Sequence, residues 1–235
     1  MTCLVDQFFP AAGMAAVKVL ERCGVQVDFP EAQTCCGQPA FNSGFHDEAR
    51  SVARSWLRTF AGSEAVVGPS GSCVSMVRNC FPELFHGLPR ELEEVRALAA
   101  RTYEFSEFLV SVLGVEDVGA PAWRGAVTLH ESCHLLRELK VREPARKLLA
   151  AVPGLELREM KDSQECCGFG GTFSVKFGPL STSMADGKLE AAAATGAETV
   201  VACDMSCLMH LEGRARRKNL PLRCVHLAQV LAGEK

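Results

Sequence analysis

A cysteine doublet followed by glycine occurs twice in this chain, as Cys35-Cys36-Gly37 and Cys166-Cys167-Gly168. A lone cysteine stands well before each doublet and another well after it, in the frames C-x31-CC-x36-C and C-x32-CC-x39-C. The frames superpose at nearly constant offset: Cys3 to Cys133 is 130 positions, Cys35 to Cys166 is 131, and Cys73 to Cys207 is 134. The stretch VVGPSGSC (66–73) overlays VVACDMSC (200–207). Agreement at this period is the signature of an internal duplication, so the fold must be one unit built twice. The expected repeats are 1–119 and 120–235. They meet in a stretch from Gly114 to Gly125 that is punctuated by Gly119 and Pro121.

Local patterning predicts strands alternating with helices. Strands are expected over 2–5, 25–29, 64–67, 126–130, 155–159 and 198–202. Helices are expected over 11–23, with Gly24 as its stop, over 46–60, and from about Ser72. Residues 91–113 (ELEEVRALAARTYEFSEFLVSVL) read as two further helices. Residues 132–151 form one helix capped by Ser132 and kinked or divided by Pro144. Helices over 180–195 and from Cys203 follow, and CVHLAQVLAG closes the chain as a short one. The doublets sit in loops 33–44 and 164–178. This order predicts an α/β fold: two pseudo-repeated strand-helix units with parallel sheets and helices on both faces. Ligands of such sheets bind beyond the carboxyl ends of the strands, where this reading puts the cysteines.

Composition narrows the chemistry. Net charge is −3, and the aromatic set includes one tyrosine and two tryptophans. That combination disfavours nucleic acid and anionic membrane surfaces as partners. No apolar run is long enough to span a bilayer, and Met1-Thr2-Cys3-Leu4-Val5 does not open a secretory signal. A cytoplasmic protein is expected. Twelve cysteines in a reducing compartment point to metal or redox chemistry ahead of structural disulfides.

Four thiolates per frame suit a soft metal centre, either an iron–sulfur cluster or zinc. Adjacent cysteines fit a single tetrahedral zinc poorly, because neighbours in an extended chain point opposite ways. A multi-iron cluster relaxes that demand. Gly37 and Gly168 can adopt positive φ and present backbone N–H groups to an anionic cluster. The candidate ligands are Cys3, Cys35, Cys36 and Cys73 in one set, and Cys133, Cys166, Cys167 and Cys207 in the other. Cys203 overlays Pro69 and is either a fifth ligand of the second set or a spare thiol. Cys23, Cys80 and Cys224 read as small buried apolar residues.

His130-Glu131-Ser132-Cys133-His134 matches the letters H-E-x-x-H. A zinc protease needs both histidines on one helix face, whereas here His130 ends a strand. His130 and His134 are better read as residues supporting the second cysteine set by hydrogen bonding. The GFGG run (168–171) lacks a full nucleotide-binding frame, and the basic run Arg214 to Lys218 reads as a solvated helix end.

The two CCG frames resemble the cysteine-rich CCG-domain family. That family includes the CCG-bearing component of heterodisulfide reductase and the iron–sulfur components of glycolate oxidase and anaerobic glycerol-3-phosphate dehydrogenase. The stretches LVDQFFPAAGMAAVKVLE, TCCGQPAFNSG, GPSGSC, HESCHLLRELK, CCGFGGTFSVKF and DMSCLMHLEG are most similar to its lactate utilization A branch, and the likeness covers essentially the whole chain. The resemblance implies up to two iron–sulfur clusters of 4Fe-4S type, held by the two cysteine sets. It implies an electron-transfer subunit of a multi-protein L-lactate oxidation system, working with other iron–sulfur and electron-transfer subunits and not as a complete enzyme alone. In the heterodisulfide reductase relative each frame ends in C-x2-C. Here the first ends in a single Cys73 and the second in C-x3-C. A zinc-binding scaffold and a cluster-based disulfide reductase subunit are the alternative readings.

Overall fold

The computed structural model describes residues 3–234, and for Cys3 the backbone alone. It is an α/β fold built on two parallel sheets with helices packed around them. The C-terminal half holds a four-stranded sheet in the order β4-β3-β5-β6. Its strands are β3 (Gly125–Leu129), β4 (Leu155–Leu157), β5 (Thr199–Ala202) and β6 (Arg223–His226), all parallel. The N-terminal half holds a two-stranded parallel sheet of β1 (Val66–Gly68) and β2 (Thr102–Glu104). The central strand β5 is buried along its whole length, as expected for a parallel strand covered on both faces.

The two halves share their interior. One hydrophobic cluster runs from Ala15 and Val19 through Trp56, Phe81 and Phe105 to Val127, Leu148 and Leu231. The C-terminal helix Leu227–Ala232 lies against helix Pro10–Arg22 of the other half. A second cluster joins Val5 and Ala12 to Leu189, Leu208 and Leu211. Each half thus covers apolar surface that the other would otherwise expose.

The structure corrects several local readings. The strand expected over 2–5 is the start of helix Cys3–Phe8, with Thr2 outside the described residues. A short apolar run serves a buried helix as well as a strand, and Val5 is buried in the second cluster. Residues 25–29 form no strand and pair with neither sheet. The helical reading across 91–113 conceals β2. Helix Pro89–Ala100 ends there, and Thr102 Oγ donates to the Leu98 carbonyl oxygen at 2.8 Å. β6 is hidden in the same way within the closing segment, where only Leu227–Ala232 is helical. Ser132 is not a cap: its hydroxyl has no hydrogen-bond partner among the described residues. The helix expected there is divided, into a π-helical turn His134–Glu138 and helix Glu143–Ala150, with Pro144 in the first turn of the latter.

The placement of cysteines at strand ends also holds unevenly. Cys73, Cys133 and Cys207 follow β1, β3 and β5, and the second doublet follows β4. No strand precedes Cys3 or the first doublet among the described residues.

Candidate metal centre

Each doublet is fixed by the glycine that follows it. Gly37 has φ 84° and Gly168 has φ 88°. At that torsion the Gly37 N–H turns back onto Cys35 Sγ at 3.5 Å, and the Gly168 N–H onto Cys166 Sγ at 3.4 Å. The same bend lets adjacent cysteines aim both sulfurs to one side. Gly168 is the tighter of the two: a Cβ there would lie 2.5 Å from the Ser181 carbonyl oxygen. The first doublet has a different brace, with Trp56 Nε1 donating to the Cys35 carbonyl oxygen at 3.1 Å.

The later cysteine of each frame sits in the first turn of a helix. Cys73 lies in Gly71–Ser75, where Ser70 Oγ accepts from its N–H at 3.4 Å. Cys207 lies in Met205–Arg217, capped by Asp204. Asp204 joins the two helix starts. Its Oδ1 accepts from the Ser206 N–H at 3.1 Å. Its Oδ2 reaches into the other half and accepts from Ser70 Oγ at 3.1 Å and the Ser72 N–H at 3.0 Å. Ser70 and Asp204 also pair as an isolated antiparallel bridge. They are 134 residues apart, the offset of Cys73 from Cys207, so a pseudo-two-fold axis passes between them. Beside that axis His226, the last residue of β6, uses Nδ1 to accept from the Ala228 N–H. Its Nε2 is therefore the protonated nitrogen, donating to the Pro69 carbonyl oxygen at 3.1 Å.

The described thiols form two connected groups. Cys36 hydrogen-bonds with Cys35 and with Cys73. In the second half the contacts run Cys133–Cys166–Cys167–Cys207. Hydrogen bonding to neighbouring thiols, reinforced by burial, pushes Cys36, Cys133 and Cys167 well up. The bonds that Cys73 accepts from Cys36, and Cys166 from Cys133, hold those two sulfurs down. Each set therefore contains a sulfur whose thiol neighbours favour the thiolate, the form that binds a soft metal.

Both groups line one cavity of about 210 Å³. Cys35, Cys36 and Cys73 face it from one half and Cys133, Cys166, Cys167 and Cys207 from the other. Leu4, Val5 and Phe169 supply apolar wall, while Gln38, Asn42, His134 and Asp204 supply polar wall. His134 stands between the sets. Its Nδ1 is 3.7 Å from Cys133 Sγ and its Nε2 is 3.5 Å from Gln38 Nε2 of the opposite half. The donors fit a soft cluster or ion: several sulfurs within hydrogen-bonding reach of one another, amide N–H groups aimed at them, and a largely apolar surround.

The remaining residues fall elsewhere. The Cys3 side chain lies outside the described residues. Cys203 is buried and does not face the cavity; burial pushes its thiol well up, and it lies against Ser106 and Glu104. Cys23, Cys80 and Cys224 do not line the cavity, and burial raises the last two to about 11 and about 12. His130 is 1% exposed at the carboxyl end of β3, its N–H bonded to the Val201 carbonyl oxygen at 2.8 Å. Burial and the nearby Lys188 ammonium hold it down to about 4, so the ring is neutral. His130 and His134 do not share a helix face, since one extends a strand and the other opens a π-helical turn. Arg214 in the basic run is engaged by Asp186 at 2.7 and 2.8 Å.

Asp204 and Trp56 have no part in the site that the sequence alone assigns. Asp204 carries one usable signal, the D-x-S pattern of an N-cap two residues before Ser206.

Comparison with known proteins agrees with this geometry. The family model described as Cysteine-rich domain (CCG) matches residues 1–78 and 127–212. Lactate utilization protein A of Geobacillus kaustophilus (strain HTA426) is 48% identical over 231 residues, covering 98% of this chain and 96% of the relative. Lactate utilization protein A 2 of Bacillus cereus (strain 03BB102) is 47% identical over 232 residues, covering 99% and 96%. Lactate utilization protein A 1 of Bacillus anthracis (strain CDC 684 / NRRL 3495) is 45% identical over the same length. With both of its cysteine frames inside the matched segments, the chain belongs to the cysteine-rich CCG-domain family, in its lactate utilization protein A group.

Proposed function

We propose that this chain is an iron–sulfur electron-transfer subunit of a multi-protein system that oxidises L-lactate to pyruvate in the cytoplasm. The observation that carries the reading is the meeting of two duplicated thiol sets on one cavity. The names of the relatives supply the metabolic context. Cys35, Cys36 and Cys73, with Cys3, would hold one cluster. Cys133, Cys166, Cys167 and Cys207 would hold the other. The repeats carrying them are residues 1–119 and 120–235.

Such clusters supply reversible one-electron storage. The rest of the work falls to the chain. The N–H groups of Gly37, Gly168 and Phe169 donate to cysteine sulfurs and so tune how readily each centre takes an electron. Asp204 places negative charge near Cys73 and ties both ligand-bearing helices to one carboxylate, which fixes the spacing of the sets. The apolar wall and the burial of Cys36, Cys167 and Cys207 lower the polarity around the sulfurs. Other iron–sulfur and electron-transfer subunits of the same system would deliver and remove electrons.

The test is anaerobic purification with iron and sulfide analysis, followed by addition of L-lactate in the presence of the co-expressed partner proteins. The reading predicts cluster absorbance that bleaches on lactate addition. Fewer than about two irons per chain after reconstitution, or a colourless protein loaded with zinc that unfolds on chelation, would refute it in favour of a structural scaffold.

A further inference from the structure

His130 is the one buried histidine whose two ring nitrogens both lack a hydrogen-bond partner among the described residues. His226, equally buried, uses both of its own. A neutral imidazole carries one donor and one acceptor, and burying both unsatisfied is unfavourable, so such a group in a native fold calls for a partner. At 1% exposure the ring has no solvent to turn to, and its backbone is held by the bond from the His130 N–H to Val201. What the ring does approach is sulfur. One of its nitrogens, Cys167 Sγ and Cys207 Sγ all lie within 4.8 Å of one another. His130 does not line the cavity, so it meets these sulfurs from the protein interior.

We infer that His130 is a direct metal ligand of the C-terminal centre, binding alongside Cys167 and Cys207 in a mixed imidazole–thiolate donor set. Metal–nitrogen bonds near 2.0–2.1 Å and metal–sulfur bonds near 2.3 Å need donors a few ångströms apart, and these three groups already converge to that range. A single ion would satisfy the stranded ring nitrogen and the two sulfurs together. The N-terminal set offers nothing similar. Among the described residues, no histidine is brought together in this way with Cys35, Cys36 or Cys73. The duplicated centres are therefore chemically unequal. A neutral imidazole brings a donor without adding negative charge, so the two centres differ in donor set and hence in potential.

This inference rests on the iron–sulfur reading above, and the experiment separates the two. The full chain is produced anaerobically with 15N-labelled histidine and reconstituted, and its iron is counted. It is then reduced with dithionite and studied by pulsed EPR for nitrogen hyperfine coupling. The expected result is a strong coupling of directly bound imidazole that switches with the isotope. It should be lost in His130→Cys, with iron content retained and the potential of one centre lowered, and kept in His134→Gln. His130→Gln should lose the coupling too, which guards against a folding defect peculiar to the cysteine variant. A full iron complement with no strong nitrogen coupling, or a coupling lost in His134→Gln instead, would overturn the ligand assignment and leave the cluster reading standing. Absence of iron, or of any paramagnetic signal after reduction, would overturn both.

Discussion

The two doublet glycines form a controlled pair, because duplication gave them the same torsion in different surroundings. Gly37→Ala places a Cβ at φ 84° with its nearest neighbour, Val52 Cγ1, 3.4 Å away. The left-handed backbone then costs about 1–2 kcal/mol, with little steric addition. Gly168→Ala meets the same torsional cost at φ 88°. In addition its Cβ falls 2.5 Å from the Ser181 carbonyl oxygen and 2.9 Å from Met184 Cβ. The Ser181 carbonyl belongs to helix Gly178–Ala194 and has little room to retreat, so overlap adds about 1–3 kcal/mol. Gly168→Ala should therefore be the more destabilising of the two by about 2 kcal/mol. In a chain of this length that separates the melting temperatures by about 4–8 °C. Thermal unfolding followed by circular dichroism, in anaerobic buffer with chelator, reads the difference without any metal contribution. Equal losses in the two variants, or a larger loss at Gly37, would refute the claim that the second doublet is the one locked by backbone contact.

Two further predictions concern the ground between the halves. Burial raises Glu104 to about 7, so its contribution to stability is complete below pH 4.5 and is lost as pH rises through about 7. Denaturation of Glu104→Gln between pH 5 and 8 should therefore show the variant gaining on the wild type with pH, by up to about 3 kcal/mol; a gap that does not move with pH would count against it. Asp204→Asn keeps one acceptor oxygen and cannot accept at both Ser206 and the Ser70–Ser72 pair, so urea unfolding should show a loss of about 2–3 kcal/mol. Ser70→Ala should cost less, because the Ser72 N–H still reaches the carboxylate.

Much of the molecule is legible in the sequence, for physical reasons that differ by element. Helices Pro10–Arg22, His46–Thr59 and Met205–Arg217 carry enough periodicity to announce themselves, and β3, β4 and β5 are bounded by clear turn residues. β2 and β6 are three and four residues long and pair only with strands distant in sequence. Their conformation is set by tertiary partners, which local patterning does not record. The cysteines are legible because duplication repeated their spacing. The shared cavity is not, since an overlay of two repeats says nothing of the angle at which they meet. That angle is set by Ser70, Asp204, Pro69 and His226, whose hydrogen bonds cross between the halves. His130 stands out in the sequence as a histidine beside a ligand; its stranded nitrogens become visible only when its neighbours can be enumerated.

The proposed function requires two distinct metal centres in one cavity, each dependent on its own doublet. The most direct measurement is EPR, with iron and sulfide analysis, of anaerobically reconstituted wild type, Cys36→Ser and Cys167→Ser. The wild type should show two signals that broaden each other across the shared cavity. Each variant should lose a different signal and about half the iron, and the survivor should sharpen. Loss of both signals in either variant, or one signal that neither substitution removes, would contradict it.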